Sequence, residues 1–437
     1  MQAAGSEQTL VIYAAIDSPR LRYVLDWIFT ERLGIEYRLT SDEAEAQQTE
    51  FYLSYGKNSG KALSIPATKL LNDTGISQHK ADTGEWQGIP TLYAVNDETY
   101  AIPFDLFSAA FFLLSRYEEY YSFNPDKHQR YPATESILYR NGWLKRPVLD
   151  EWVTALGKIL RDKGLKTNRP AFFFQPSYDI DIAYSYLHKG RTRSIGAFIR
   201  DLLKVNTSEI TERISVNRGK KQDPFDSFDT ITNWHKQYNY SPVYFILASL
   251  QTTDFDKNIR PTNPRMQELI RELSDDGAIG IHPSYYSDRF PEYKNKEKGI
   301  LEQIIGKPID KSRQHYMKLK MPGTYRSLIA LGIEDDYSMG YGTNLGFRAG
   351  TGASFMWYDL KKEEASQLRV HPFCFMDTTA RYEEKLSPAE AVHVLNGMKK
   401  VLEQCNSMLV TIFHNFSLGT SPEWKGWREA YENFIKR

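Results

Sequence analysis

Cysteine is almost absent: Cys374 and Cys405 are the only two among 437 residues, which excludes a disulfide framework and every multi-cysteine metal motif. An excess of one charge is missing too. Lysine plus arginine and aspartate plus glutamate balance at 55 each, so no basic surface advertises nucleic acid or an anionic membrane, and a neutral or small partner is expected. Long hydrophobic runs are also lacking. The longest, Leu106–Leu114 (LFSAAFFLL), is too short to cross a bilayer and is interrupted by Ser108, so it reads as a buried helix and no transmembrane segment is expected. The opening MQAAGSEQTLVIYAAID has no basic stretch followed by a long apolar one; no signal peptide is expected, and the expected location is cytoplasmic.

Aromatic residues, by contrast, are plentiful at 14%, with 28 tyrosines and 8 tryptophans, a composition that suits sugar-stacking surfaces and large cores alike. The length favours two domains. Up to about residue 150, short strand-like runs (TLVIYAA, TEFYLSYG, TLYAV) alternate with helical ones such as Arg20–Arg32. Within IPFDLFSAAFFLLSRYEEYYSF, Phe107, Ala110, Phe111 and Leu114 make an apolar helical face, and SRYEEYY reads as a helix end closed by internal salt bridges of Arg116, Glu118 and Glu119. GKNSGKA at 56–62 superficially resembles a phosphate loop, but it has three residues between its glycines and an alanine where a magnesium-binding Ser or Thr belongs, so it is rejected.

The polar, basic stretch GKILRDKGLKTNRP marks a change of character, and the boundary is placed at 165/166. Beyond it, continuous apolar strands alternate with amphipathic helices. One helix is capped by Asn263 with Pro264 in its first turn; another opens with the capping box Ser387-Pro388-Ala389-Glu390. About seven such units imply a parallel sheet covered by helices, either closed as a barrel or open. A basic, Ser/Thr-rich insert at 187–225 interrupts the first crossover and is placed over the site or left mobile. The charged run KKEE at 361–364 reads as a solvated helix face.

In such folds chemistry gathers at the C-terminal ends of the strands. One inferred strand ends in Tyr178-Asp179-Ile180-Asp181, another in Gly280-Ile281-His282-Pro283-Ser284, and the last in Phe413-His414-Asn415. Asp179 and Asp181, at i and i+2, lean to the same side of an extended strand, and two like charges there demand a cation, a shared proton or water between them.

Strand–Asp-x-Asp, strand–His-Pro-Ser and a late strand–His, in that order, resemble the polysaccharide deacetylases with the NodB homology domain, carbohydrate esterase family 4. PFDLFSAAFFLLSRYEEY, RQHYMKLKMPGTY, GFRAGT and HPFCFMD are similar to segments of a bacterial branch that carries an uncharacterised N-terminal domain. The resemblance implies an α/β chain with an N-terminal α/β domain of unknown role at 1–165 and a deacetylase-like, distorted (β/α) barrel of about seven strands at 166–437. It also implies a divalent metal, commonly zinc, that polarises an amide carbonyl, and a carbohydrate substrate. Carried over residue by residue, Asp179 is the general base, Asp181 and His282 are metal ligands and His414 is the general acid.

Two departures bear on the site. The family's second histidine, four residues after the first, is Tyr286 here, so the third ligand falls to His315 or to His371. The family's Arg-x-Pro loop has only Lys320-Met321-Pro322 as a counterpart, and lysine lacks the planar fork that holds a carboxylate, which leaves Arg348 of GFRAGT to orient Asp179 or to meet a substrate oxygen. Tyr285, Tyr286, Pro322 and His371 are the candidate substrate contacts. The resulting expectation is a metal-dependent deacetylase acting on a bacterial glycan or glycan precursor. The alternatives are an inactive relative that binds carbohydrate and metal-independent acid–base chemistry by Asp179 and His414. The reading requires Asp179, Asp181, His282 and His414 in one pocket, and it fails if buried lysine or arginine neutralises the aspartates.

Overall fold

The structure is a computed structural model that describes residues 8–58, 63–188 and 207–436. The end of the rejected phosphate-loop stretch and residues 189–206 of the insert lie outside the described residues. Two sheets organise the chain. The first has four parallel strands, β1 (Leu10–Ala14), β2 (Tyr37–Thr40), β3 (Tyr52–Tyr55) and β4 (Leu63–Ile65), in the order β2-β1-β3-β4. A two-stranded hairpin follows, β5 (Thr83–Trp86) with β6 (Ile89–Leu92), turned at Gln87 and Gly88, whose φ values of 53° and 75° give the positive pair that a two-residue hairpin turn needs. The apolar run Leu106–Leu114 is a helix with all nine residues buried, as expected of a helix that is apolar on every side.

The second sheet has nine strands: β7 (Phe173–Ile180), β8 (Val243–Ile246), β9 (Ala278–Ile281), β10 (Lys311–Ser312), β11 (Asp335–Asp336), β12 (Phe355–Asp359), β13 (Glu364–Val370), β14 (Phe375–Met376) and β15 (Met408–His414). Their order is β12-β13-β11-β10-β9-β8-β7-β15-β14. Every pairing is parallel except the β12–β13 hairpin. About seven parallel strands were expected; there are eight, because β10, β11 and β14 are only two residues long and leave little alternation to read in the sequence. Outward from β7 on the β8 side the spatial order follows chain order except that β13 stands before β12, and the two end strands, β12 and β14, do not pair among the described residues. Helices Phe228–Tyr238, Pro264–Asp276 and Pro388–Gln404 form where the spacing predicts them, the last with its capping box made. No helix among the described residues is long and apolar enough to cross a membrane.

KKEE proves to be the turn of the β12–β13 hairpin, held by the Asp359 carboxylate on the Lys361 amide at 3.0 Å. It is not a helix face: a tight turn exposes charge as readily as a helix does, and composition does not separate the two. The edge made by β12 and β13 is covered by the N-terminal part, as an edge strand requires. Tyr23 Oη donates to the Met356 carbonyl at 2.7 Å, Trp27 Nε1 to that of Ser354 at 2.9 Å, and Arg20 forks onto Glu363 at 2.6 and 2.8 Å. One hydrophobic core runs from Leu10 to Ile435 through Trp27, Phe107, Trp152 and Trp357.

At its centre lies a buried ion cluster. Arg116 bonds Glu118 at 2.9 Å and Glu119 at 2.8 Å, and Arg348 takes Glu119 in a fork of 2.6 and 2.8 Å. The cluster joins the two parts of the chain with balanced charge. It also corrects one expectation: Arg348, proposed to hold Asp179, is spent on Glu119, because the loop after β11 packs against the N-terminal helix end. Removing Glu119 would leave Arg348 without a carboxylate and Arg116 with Glu118 alone, both out of water. Glu119→Ala is therefore expected to lower unfolding free energy by about 3–5 kcal/mol in a urea titration.

A candidate metal centre in the strand-end cleft

The four strand-end residues converge. In the β15–β7 register His414 lies opposite Asp179. His282 follows β9, its amide donating to the Ile246 carbonyl at 3.1 Å, and Arg313 follows β10, its amide donating to Ile281 at 3.0 Å. Asp179, Asp181, His282, His315 and His414 all line one open cleft of about 680 Å³.

The two aspartates are compensated differently. Asp179 is 1% exposed, and its Oδ1 accepts from Arg313 Nη1 at 2.8 Å. That guanidinium is fixed on every side: Nη2 donates to Ser177 Oγ at 2.8 Å, Nε to the Tyr337 carbonyl at 3.0 Å, and its plane lies 4.2 Å from the Phe245 ring centroid. Phe245 has room there because its neighbour on β9 is Gly280, where a Cβ would sit 2.5 Å from the ring. Asp181 has no arginine or lysine within ion-pair distance among the described residues. It faces imidazoles instead: His282 Nε2 at 3.1 Å from Oδ1, and His315 Nε2 and His414 Nε2 each at 3.5 Å from Oδ2. Despite that proximity Oδ1 is buried and makes no hydrogen bond. A buried arginine thus pairs with Asp179 but not with Asp181, so the condition that would defeat the reading is met at one aspartate and not at the other.

Each imidazole is oriented from behind. His282 Nδ1 donates to the Arg313 carbonyl at 2.6 Å, His315 Nδ1 contacts Asp256 Oδ1 at 3.1 Å, and His414 Nδ1 contacts Asp377 Oδ1 at 2.7 Å while its amide bonds Oδ2 at 2.7 Å. With Nδ1 engaged, Nε2 of His282 and His315 is left facing Asp181, the arrangement that ligating histidines adopt. One donor atom each from Asp181, His282 and His315 lies within 4.8 Å of the other two. An orphaned carboxylate oxygen beside two imidazole nitrogens is a donor set that fits a zinc-like divalent ion with positions left open.

The acids around these imidazoles favour their protonated form, so a cation bound there would have to displace a proton, since only an imidazole lone pair ligates. Burial alone would raise Asp181, but the His315 and His282 imidazoles outweigh it and hold its carboxyl well below the usual range. Burial works against a charge on His315 and is overcome by Asp181 and Asp256, lifting it to about 9. In His414 burial is likewise outweighed, chiefly by Asp377, and its pKa stands well above the ordinary value.

Other candidate residues stand elsewhere. His371 bonds Asp335 at 2.7 Å and Ser354 at 2.8 Å and stacks on Tyr337, so of the two candidates for the third position it is His315 that faces Asp181. Pro322 precedes the helix Gly323–Ala330 and does not line the cleft. Tyr286 lines a smaller cavity with Ser249 and Glu297. Tyr285 stands behind the cleft wall, stacked on Phe255 at 3.8 Å. The sequence reading missed Arg313, Asp377 and Asp256. Arg313 carried a signal, since it lies two residues before His315 at a strand end, the same spacing as Asp179 and Asp181. Asp377 closes the apolar run FCFM as the other site residues close theirs. Asp256, in a loop, carried none.

Among known families, residues 10–165 match a family of unknown function, DUF7033. No curated protein matches the sequence. The fold overlaps in part with solved structures: the Puue allantoinase at 12% identity, covering 62% of this chain and 87% of that one with a TM-score of 0.39, and a polysaccharide deacetylase from Bacillus cereus at 13% identity, covering 61% and 88% with a TM-score of 0.30. The chemistry rests on this chain's own residues.

Two outcomes are expected. His315→Ala should abolish stoichiometric zinc or cobalt in protein loaded with the ion and dialysed, whereas Tyr286→Phe should retain it, as read by elemental analysis. The second concerns Glu297, buried behind the loop after β9 and accepting the Ser284 amide at 3.0 Å. Burial, only partly offset by Ser284, raises its carboxyl from the ordinary 4.5 to about 7. The folded state therefore holds this proton more tightly than the unfolded one between those values, so this group makes stability fall as pH rises from 4.5 to 7. Glu297→Gln should flatten that part of the profile in chemical denaturation across the range.

Proposed function

We propose that the cleft is the active site of a metal-dependent hydrolase that removes acyl groups, N-acetyl foremost, from a bacterial glycan or glycan precursor. The observation that carries this reading is the division of labour between the aspartates: Asp179 locked by Arg313, and Asp181 left with an unpartnered oxygen beside His282 and His315. Tyr286 in the family's histidine position would favour a binding-only relative, but His315 offers a third donor from a neighbouring strand end.

A divalent ion held by Asp181, His282 and His315 would polarise the substrate carbonyl and acidify a water. Asp179 has one oxygen engaged by Arg313 and the other, 3.8 Å from His282 Nε2, without a hydrogen bond, the position from which a general base could take a proton from water. Arg313 also prevents the carboxylate from turning away, which is a positioning role. On the strand next to that of Asp179, burial of the His414 imidazole is outweighed by Asp377, which raises its pKa well above the ordinary value and favours its protonated form. A protonated imidazole fixed in orientation suits delivery of a proton to a departing amine. Phe255, Tyr316 and Phe416 line the cleft and give apolar faces of the kind that take the flat side of a sugar ring.

The test is release of acetate from N-acetylated saccharides by the metal-loaded protein. Asp179→Asn and His414→Ala should each lower kcat by about 10²–10⁴ while retaining the ion, and Asp181→Ala should lose ion and turnover together. Protein that stays free of metal under metal-replete conditions would overturn the reading.

A further inference from the structure

One wall of the cleft does not come from the nine-stranded sheet or its loops. Asp126, Lys127, His128 and Arg130 belong to the part of the chain matched by the family of unknown function, yet they line the cleft together with Asp181, His282 and His414. The segment is fastened there. Arg130 Nη1 donates to the Tyr316 carbonyl at 2.6 Å and Nε to Asp126 Oδ2 at 2.7 Å, while Asp126 Oδ1 accepts the amides of His128 at 2.8 Å and Arg130 at 3.0 Å. The loop after β11 leaves space for that guanidinium, since a Cβ on Gly342 would sit 2.5 Å from Arg130 Nη1.

His128 is the residue this fastening presents. Its Nδ1 contacts Tyr285 Oη at 2.9 Å, and its Nε2 has no partner among the described residues. Its ring lies 4.9 Å from Tyr316 and 6.1 Å from Phe255. Tyr316 in turn lies 4.7 Å from His315, ring to ring. An aromatic wall therefore runs without a break from a candidate metal ligand to a residue of the N-terminal part, ending in a ring nitrogen able to bond a ligand. Flat apolar faces with a polar group at their edge match a pyranose, whose C–H face stacks while its rim hydroxyls seek hydrogen bonds.

We propose that the N-terminal part of the chain completes the substrate cleft, and that His128 is a specificity-determining contact to a pyranose ring stacked on Phe255 and Tyr316. The proposal rests on the hydrolase reading for the reaction carried out beside that ring, but not for the binding itself. It gives the N-terminal part a recognition role: the sheet supplies the chemistry and the Asp126–Arg130 segment selects the sugar.

The experiment measures binding and turnover separately on the full, metal-loaded chain. A panel of N-acetylated oligosaccharides is screened for binding, and the tightest is titrated by calorimetry into wild type, His128→Ala and Phe255→Ala. Both variants should bind at least tenfold more weakly with unchanged metal content. For any oligosaccharide that is turned over, the loss should fall in KM rather than in kcat. Wild type binding none of the panel, variants binding as tightly as wild type, or a loss confined to kcat would each overturn the proposal. Saccharide binding that depends on His128, without acyl release from any of the panel, would sink the hydrolase reading and leave this one standing; metal loss in His128→Ala would show a structural effect and refute it. Because His128→Ala could perturb the loop, His128→Gln, which keeps a donor at the edge of the wall, should restore part of the affinity.

Discussion

Two carboxylates at the end of one strand, one fully buried and the other 19% exposed, do not share the same solution to their charge. The rest of the site follows from the way that conflict is resolved. Asp179 receives a guanidinium immobilised by a hydroxyl, a carbonyl and an aromatic face, and so becomes a fixed carboxylate with one free oxygen. Asp181 receives only imidazoles, each already committed at its other nitrogen, and keeps an oxygen with no hydrogen bond. Its charge is answered by His315 and His282, and a carboxylate oxygen beside imidazole nitrogens is a donor set that fits a cation.

The groups that face the cleft are held by others that do not. His282 leans on the carbonyl of Arg313, so one residue orients both a donor and the general-base candidate. His315 leans on Asp256, and Asp256 also takes the Tyr285 amide at 2.9 Å, tying the ligand position to the aromatic wall. His414 leans on Asp377 through both its ring and its amide. Fixing imidazoles in this way keeps the proton on Nδ1 and spares the cost of ordering them when a ligand arrives. The N-terminal part is joined to the same framework: it covers the edge made by β12 and β13, shares the ion cluster around Glu119, and reaches the cleft through Arg130 on Tyr316.

Much of this was legible in the chain. Asp179, Asp181, His282 and His414 stand where apolar strands end, and period and capping located those strands, because an apolar run bounded by polar residues has few other uses in a parallel sheet. What failed were the choices among loop residues. His315 and His371 looked alike in sequence, each flanked by residues of a short or irregular strand, and only the pairing of His371 with Asp335 separates them. Arg348 in GFRAGT reads as a fork for Asp179, and nothing local shows that Glu119, 229 positions away, already holds it.

Local sequence by itself determined the parallel α/β layout, the strand ends that carry acid and imidazole, and the incompatibility of two neighbouring carboxylates, since these depend on residue type and on spacing along the backbone. Only the tertiary structure decided which arginine answers which acid, which histidine completes the trio, and that a segment from the first third of the chain forms part of the cleft. Those are matters of distance between residues far apart in the chain, and hydrogen bonds and ion pairs act over a few ångströms whatever the separation in sequence.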